Sequence, residues 1–367
     1  MIRIISPKMN KPEQFHEKAG VTFESGWMTN NGPHLKEFED KLTNHLGVNS
    51  LAFSNGTIAL ILALRGLNLS GEIIVPSFTF AASVHAIKWA GCTPVFVDID
   101  EETFNIDPHK VTNAITSETS AILAVHVFGN PCDITELQKV ANEHNLKLVF
   151  DAAHAFGSNY QGYPIGQFGD VEMFSTHATK TLITAEGGVL STRNNQLLEY
   201  LKRARNFGFS DDNEDTLMDG TNAKMSELHA LVGLDSLAHV NDSFEKKQAI
   251  VAHYRNALKN IRGITLQKVH AGNTSAYLFF SILVGSNFPL TRDQLFEELA
   301  ANDIQTRKYF FPPVHKHSSY QEFNHLELPV TERVSSQILC LPSHTNMSSE
   351  DVEKVCEVIT EVSESFP

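Results

Sequence analysis

The stretch SLAFSNGTIALILALRGL, residues 50–67, contains one complete copy of the unit from which the fold is built. Ser50–Phe53 predicts a short strand, and Thr57–Leu67 predicts a helix that starts directly after the turn Ser54-Asn55-Gly56-Thr57. A strand that leads through a tight turn into a helix is half of a βαβ unit, so recurrence of this pattern decides the fold class.

The pattern recurs through the first two-thirds of the chain. Ala81–Trp89 and Ile134–Glu143 predict further helices between apolar runs. Such alternation is typical of an α/β protein with a mostly parallel sheet covered by helices, whose strands are apolar because both faces are buried. Seven strands are predicted: Ser50–Phe53, Glu72–Val75, Pro94–Ile99, Ala121–Val127, Leu146–Phe150, Val171–Ser175 and Gly188–Thr192.

The pattern changes after about Lys224. One long helical stretch, Met225–Leu258 with a loosening near Asn241, precedes a strand at Leu278–Val284. A helix near Thr291–Asn302 and a last helix opened by Ser348 follow. We therefore predict a large domain over residues 1–235 and a smaller α+β domain over 236–367.

The composition excludes several classes of protein. Of 367 residues, 42% are hydrophobic and 20% charged, which is typical of a globular protein and not of a disordered one. No apolar run reaches membrane-spanning length and the N-terminus has no signal-peptide pattern. The net charge of −14 argues against non-specific nucleic-acid binding. The scattered cysteines have no metal-ligand spacing and predict reduced core thiols in a cytoplasmic protein: Cys92, Cys132, Cys340 and Cys356.

The turn at residues 54–57 has two interpretations. The first turn of a helix presents unpaired N–H groups and the positive end of its dipole, and Gly56 lets an anion approach the backbone, so a phosphate would fit there. Alternatively, Ser54 or Asn55 merely caps the helix.

A charged residue, Asp151, ends the apolar strand before it and is followed by Ala-Ala-His154. Open α/β sheets bind ligands at this end of their strands, and a buried carboxylate there needs a cationic partner, such as a protonated ring nitrogen. The alternative for Asp151 is a helix N-cap or a loop aspartate. His154 by itself is more often a hydrogen-bonded polar residue than a catalyst.

Lys180 stands alone in the charge-poor segment Phe174–Lys180, between two predicted strands and close to Gly187 and Gly188. Apolar surroundings disfavour the ammonium form and make a neutral, nucleophilic amine available. A surface lysine with its apolar stem packed down is the alternative.

In combination, the turn at residues 54–57, Asp151 and Lys180 provide the groups that a pyridoxal phosphate site requires. The phosphate would be anchored at a helix N-terminus, Asp151 would pair with the pyridinium nitrogen, and Lys180 would form the Schiff base.

Motifs along nearly the whole chain are similar to those of the DegT/DnrJ/EryC1/StrS sugar aminotransferases, a branch of fold-type I pyridoxal-phosphate enzymes. They include WMTNNGPHLKEFEDKL (Trp27–Leu42), SNGTIAL, IIVPSFTFAASVHAI, FDAAHAFGS, FSTHATKTLITAEGG, NAKMSELHALVGL and LCLPSH. The resemblance implies a transaminase, because dehydratases of this family carry His where this chain has Lys180. It also implies a role in deoxyamino-sugar biosynthesis, for example for O-antigen or lipopolysaccharide.

The resemblance assigns roles by position. Lys180 resembles the catalytic, Schiff-base lysine, and Asp151 the partner of the pyridinium. Phe80 matches the ring that stacks on the cofactor, and His154 stands beside its 3′-oxygen, where many relatives have Gln. The implied phosphate ligands are Gly56, Thr57 and Ser175, together with Asn222 from the neighbouring subunit, so a homodimer with shared sites is expected.

The segment Thr306–Lys316, TRKYFFPPVHK, resembles one found in members that aminate carbon 4 of a nucleotide-linked 4-keto-6-deoxyhexose, with L-glutamate as donor. It suggests Arg307, Lys308 and Tyr309 as substrate-binding residues and Lys316 as a further candidate for the diphosphate. The cofactor would be pyridoxamine phosphate after the donor has given up its amino group and before the sugar receives it. The alternatives are a sugar 3-aminotransferase, an inositol-type aminotransferase and a non-catalytic regulator on the same fold.

Overall fold

The computed structural model describes residues 1–7 and 9–365. Within them the chain forms twelve α-helices: α1 (Pro12–Ser25), α2 (Pro33–Leu46), α3 (Gly56–Gly66), α4 (Ala81–Trp89), α5 (Pro108–Ala114), α6 (Ile134–Glu143), α7 (Asn195–Ala204), α8 (Glu227–Ala238), α9 (Val240–Leu258), α10 (Arg292–Ala301), α11 (Pro329–Gln337) and α12 (Ser349–Glu364).

The same part of the chain contains twelve strands: β1 (Ser50–Phe53), β2 (Glu72–Pro76), β3 (Thr93–Val97), β4 (Thr119–Val125), β5 (Lys147–Asp151), β6 (Asn159–Tyr160), β7 (Tyr163–Pro164), β8 (Val171–Ser175), β9 (Gly188–Ser191), β10 (Ile264–Leu266), β11 (Phe280–Val284) and β12 (Ile338–Leu341). All seven strands predicted for the first two-thirds of the chain are present, with ends shifted by at most two residues.

Those seven strands form one mostly parallel sheet, which confirms the predicted α/β architecture. Its order is β1-β9-β8-β5-β4-β2-β3, and only the pairs made by β9 are antiparallel. Side chains of β4 pack alternately into the two apolar layers, Leu123 on one face and Ile122 on the other, both fully buried. The sheet therefore has a core on each face, as its apolar strands predicted.

A second, antiparallel sheet, β10-β11-β12, has its own apolar core with α9, α10 and α12. The sequence predicted β11, which starts at Phe280 rather than Leu278, but neither β10 nor β12. Ile2 pairs with Ile304 and joins this core, although it belongs to the other end of the chain. The division into domains at residue 235 stays a prediction.

The helical stretch predicted over Met225–Leu258, with a loosening near Asn241, is two helices whose break lies two residues before that position. The chain forms α8 and α9, separated at His239, whose backbone leaves the helical region at φ −117° and ψ 12°. At the end of the chain, Ser348 and Asp351 form the reciprocal capping box expected at the start of α12.

All four cysteines are buried and free. No helix among residues 1–7 and 9–365 combines the length and the apolar character needed to cross a membrane. The same residues contain no cluster of His, Cys, Asp or Glu arranged to hold a metal ion.

Candidate active site

A cavity of about 270 Å³ lies at the carboxyl ends of β5 and β8 and in front of the N-terminus of α3. This is the edge at which parallel sheets bind ligands. Eight of the residues predicted for the site line it: Gly56, Thr57, Phe80, Asp151, His154, Ser175, Lys180 and Tyr309. The structure thus brings together residues that come from five separate parts of the sequence.

The phosphate end of the cavity is formed by the start of α3. Asn55 caps this helix, accepting a hydrogen bond of 2.9 Å from the backbone N–H of Ile58. Gly56 and Thr57 follow in the first turn, whose N–H groups have no partner within the helix. A Cβ at Gly56 would lie 2.8 Å from Sδ of Met173, so a larger residue here would require the Met173 side chain to move. The capping interpretation is therefore confirmed for Asn55, and anion binding at this turn stays a prediction.

Asp151 is the buried anionic group of the cavity. Its Oδ2 accepts a hydrogen bond of 2.7 Å from Ser83 Oγ, and its Oδ1 accepts one of 3.0 Å from the backbone N–H of Ala153. Burial raises the pKa of Asp151, while Ser83, Ala153 and the charge of Lys180 act in the opposite direction. No α-helix of the described residues starts here, so the helix N-cap interpretation of Asp151 was wrong.

Lys180 lies in the turn between β8 and β9, where its backbone N–H bonds the carbonyl of His177 at 2.9 Å. Its side chain lines the cavity rather than extending over the surface. Desolvation lowers the pKa of Lys180 to about 8, and the nearby Asp151 opposes this shift. An appreciable fraction of the amine is therefore neutral near physiological pH.

His154 is 9% exposed and lies in an aromatic box. It stacks on Phe128 and Phe310 at centroid distances of 6.2 and 6.1 Å, and meets Phe279 edge-on. Desolvation, followed by the charges of Lys180 and Lys247, holds the pKa of His154 well below its usual value, so the imidazole is neutral.

The residues of this cavity fit pyridoxal 5′-phosphate. Nδ1 of His154 is buried with no hydrogen-bond partner among the described residues, so a polar atom in the cavity would satisfy it. Asp151 has hydrogen-bond donors but no cation in salt-bridge contact in the described chain, and a protonated ring nitrogen would supply one. The first turn of α3 would take the phosphate.

Four of the predicted residues do not line this cavity. Lys308 forms an ion pair with Asp293 and stands over the ring of Phe296, and Arg307 pairs through its backbone with Cys340. Lys316, the further candidate for the diphosphate, bonds the carbonyls of Asn324 and Leu326 instead. Roles for these residues in substrate binding stay predictions.

Asn222 is the fourth, and it is exposed. It accepts a hydrogen bond of 2.8 Å from Lys224 and does not cap a helix, because the N-cap of α8 is Ser226. Its predicted role in the site of a neighbouring subunit is consistent with this exposure and stays a prediction.

The sequence-based prediction missed three features of the site. Ser83, which holds Asp151, is a single polar residue in the first turn of the apolar helix α4, and this isolation was the available signal. Phe310 and Phe279 enclose His154 but carry no local signal, since they come from distant parts of the chain. Lys247, a buried lysine on α9, resembles any other charged residue of a helical pattern.

Comparison with known proteins agrees with this geometry. Among curated relatives, a dTDP-4-amino-4,6-dideoxy-D-glucose transaminase of Escherichia coli is 38% identical over 98% of each chain. A dTDP-3-amino-3,6-dideoxy-alpha-D-galactopyranose transaminase of Aneurinibacillus thermoaerophilus is 33% identical over 96% of each. The crystal structure of DesI in the presence of its TDP-sugar product has a TM-score of 0.93 at 36% identity, covering 99% of this chain and 93% of that one.

The model of the DegT/DnrJ/EryC1/StrS aminotransferase family matches residues 10–360, almost the entire chain. The chain therefore belongs to the DegT/DnrJ/EryC1/StrS aminotransferase family and uses pyridoxal 5′-phosphate as its cofactor.

Proposed function

We propose that this chain transfers the amino group of L-glutamate to carbon 4 of a nucleotide-linked 4-keto-6-deoxyhexose, with dTDP-4-keto-6-deoxy-D-glucose as acceptor. The products are 2-oxoglutarate and a 4-amino-4,6-dideoxy sugar nucleotide. The observation that carries the proposal is the convergence of Lys180 and Asp151 on one cavity, in a chain 38% identical over 98% of its length to the E. coli transaminase.

Lys180 is the residue that moves the proton. When bound, the cofactor supplies an electron sink for the pair of electrons that a departing proton leaves on carbon. The side-chain amine of Lys180, with its pKa lowered to about 8, takes that proton from the α-carbon of the donor as a base and returns one as an acid.

Asp151 and His154 orient and polarise the cofactor. The carboxylate of Asp151, held by Ser83 and by the backbone of Ala153, keeps a proton on the ring nitrogen. The neutral imidazole of His154 offers Nδ1 to a polar atom without adding a second charge to the cavity.

Part of the wall of the cavity is aromatic and suits a deoxysugar. Tyr309 and Phe279 lie 5.6 Å apart by ring centroid, and Phe310 adjoins both His154 and Tyr309. A 6-deoxyhexose carries a methyl group in place of a hydroxymethyl group, so an apolar wall can cover it without leaving a buried hydroxyl unpaired.

A sugar 3-aminotransferase is the second candidate, favoured by the similarity to the A. thermoaerophilus transaminase. A direct product assay separates the two. The purified enzyme is incubated with ¹⁵N-glutamate and either the 4-keto or the 3-keto isomer of the dTDP-6-deoxyhexose, and the product is examined by NMR. We expect ¹⁵N on carbon 4. Nitrogen on carbon 3, or no turnover with any 4-keto sugar nucleotide, would contradict the proposal, and Lys180→Ala provides the blank.

We also propose that the protein is a homodimer in which Asn222 of each subunit reaches the phosphate site of the other. Asn222 belongs to a loop that carries exposed apolar side chains, Phe207 and Leu217, and Trp27 is likewise 49% exposed. Large exposed apolar groups of this kind are typical of surfaces that a partner covers.

A further inference from the structure

A second cavity, of about 150 Å³, lies on the other side of Lys180. Lys180, Thr179 and Ile5 line both cavities, so the two cavities adjoin each other at Lys180. The second cavity is bounded by the N-terminal segment Ile4–Pro7, the start of α9 and residues 344–346.

The lining of this second cavity is rich in lysine. Besides Lys180, it includes Lys246 and Lys247. Asp242, which is exposed, is the one acidic residue among the lining residues that the structure describes. A small cavity with this charge balance favours an anion.

Lys247 is the unusual member of the set. It is only 5% exposed, yet no carboxylate of the described chain lies within salt-bridge distance of it. Its one hydrogen-bond partner among those residues is the hydroxyl of Thr181, at 3.1 Å, next to Lys180. Desolvation and the charge of Lys180 lower the pKa of Lys247 to about 8. A buried ammonium with two unused donors is costly unless an anion accepts from it.

We propose that this cavity binds the α-carboxylate of the amino donor, with Lys247 as the residue that recognises it. The proposal rests on the proposed function, and it names how that same site selects an amino acid.

The chemistry decides which anion lies here. The α-carboxylate is bonded directly to the carbon whose proton Lys180 moves, so it must lie within one bond of the reaction centre, beside Lys180. The diphosphate of a sugar nucleotide is separated from carbon 4 by the sugar ring and continues into a nucleoside. A cavity of about 150 Å³ holds a carboxylate but leaves no space for a nucleoside diphosphate.

Lys247→Met tests the proposal, because it removes the charge and nearly keeps the volume. Lys247→Arg restores a cation, and Lys259→Met, an exposed lysine at the end of the same helix, is the matched control. Two quantities are measured on cofactor-loaded enzyme: the apparent Kd for L-glutamate, from the rate of the single-turnover half-reaction without sugar, and the Kd of 2-oxoglutarate from the change in the absorption spectrum.

We expect Lys247→Met to raise both quantities at least tenfold and to leave KM for the sugar nucleotide within twofold, with Lys247→Arg recovering most of the loss. Values within twofold of wild type for both, or an increase confined to the sugar nucleotide, would overturn the proposal. The half-reaction needs no sugar, so a wrong acceptor would not affect this result.

If Lys247→Met does not fold, the wild-type enzyme still provides a test. Reductive methylation followed by peptide mass spectrometry reports the reactivity of Lys247, with Lys259 as internal reference. We expect 2-oxoglutarate to protect Lys247 at least fivefold and Lys259 not at all. Equal labelling with and without 2-oxoglutarate would contradict a carboxylate at Lys247.

Discussion

Ser83 donates a hydrogen bond of 2.7 Å to Oδ2 of Asp151, across 68 residues of sequence, and both side chains are buried. Ser83 lies on α4 and Asp151 at the end of β5, so packing of that helix against the sheet orients the carboxylate. Thr79 continues the network, with its hydroxyl 2.7 Å from that of Ser83. Hydrogen bonds within the protein thus orient the carboxylate of Asp151 without any ligand.

Ser83→Ala should weaken cofactor binding and lower kcat. A hydrogen bond to a charged group contributes about 1.5–3 kcal/mol, so a loss of roughly tenfold or more is expected. Absorbance titration gives the Kd of the cofactor, and a steady-state assay gives kcat. Ser336→Ala, at an exposed serine, serves as control. Unchanged values in Ser83→Ala would mean that the backbone of Ala153 alone holds Asp151.

Asp151→Asn should be more severe than Ser83→Ala. The amide preserves the shape but cannot hold a proton on the ring nitrogen, so the electron sink is weakened. Poor retention of the cofactor on gel filtration and loss of most of the activity are expected. Near-normal kinetics of Asp151→Asn would mean that Asp151 has only a structural role in the turn.

Lys180→Ala should abolish turnover, because the residue that binds the cofactor covalently and moves the proton is removed. The wild-type enzyme should show the visible absorption of lysine-bound cofactor and lose it on borohydride treatment, with the label on the Lys180 peptide. Lys202→Ala, an exposed lysine on α7, should retain activity. Full catalytic cycles at the wild-type rate in Lys180→Ala would refute the assignment.

Glu172 should make stability depend on pH. Burial raises its pKa to about 8, from 4.5 for an ordinary glutamate, and its Oε2 has no partner among the described residues. Between these two pH values the folded protein keeps a proton that the unfolded chain has released, so stability falls as pH rises. The slope is at most about 1.4 kcal/mol per pH unit from this group.

Glu172→Gln keeps the acceptor for the N–H of Phe168, at 2.8 Å, and removes the titration. Urea unfolding at pH 5, 7 and 8.5 should show the variant gaining stability relative to wild type as pH rises. Parallel pH profiles for the two proteins would exclude a protonated Glu172.

A phosphate site shared between subunits should restore activity in mixed dimers of two inactive variants. Lys180→Ala protein is combined with Asn222→Trp protein, each inactive alone, and the subunits are allowed to exchange. If Asn222 serves the other subunit's site, each mixed dimer has one intact site. Random exchange then restores roughly a quarter of wild-type activity. If Asn222 serves its own subunit, every site carries one lesion and the mixture stays inactive.

The sheet and the reactive end of the site could be predicted from the sequence because their signals are local. Apolar runs and the turn at Asn55 and Gly56 define strands and a helix start over a few residues. Parallel strands end on one edge, so Asp151 and Ser175, each at the end of a strand, had to lie near each other. Lys180 follows Ser175 by five residues and could not be far from it.

Other contacts depend on packing between elements that are far apart in the sequence, and no local pattern encodes them. Lys308 had the charge for a diphosphate, but the approach of α10 pairs it with Asp293. Phe310 reaches His154 only because residues 306–314 pass the carboxyl end of β2, where the backbone N–H of Val314 donates to the carbonyl of Ser77. Lys247 becomes a buried cation only when α9 packs its Nζ against Thr181. The sequence by itself determined which residues could do chemistry; tertiary packing decided their neighbours, and burial and nearby charge then set their protonation.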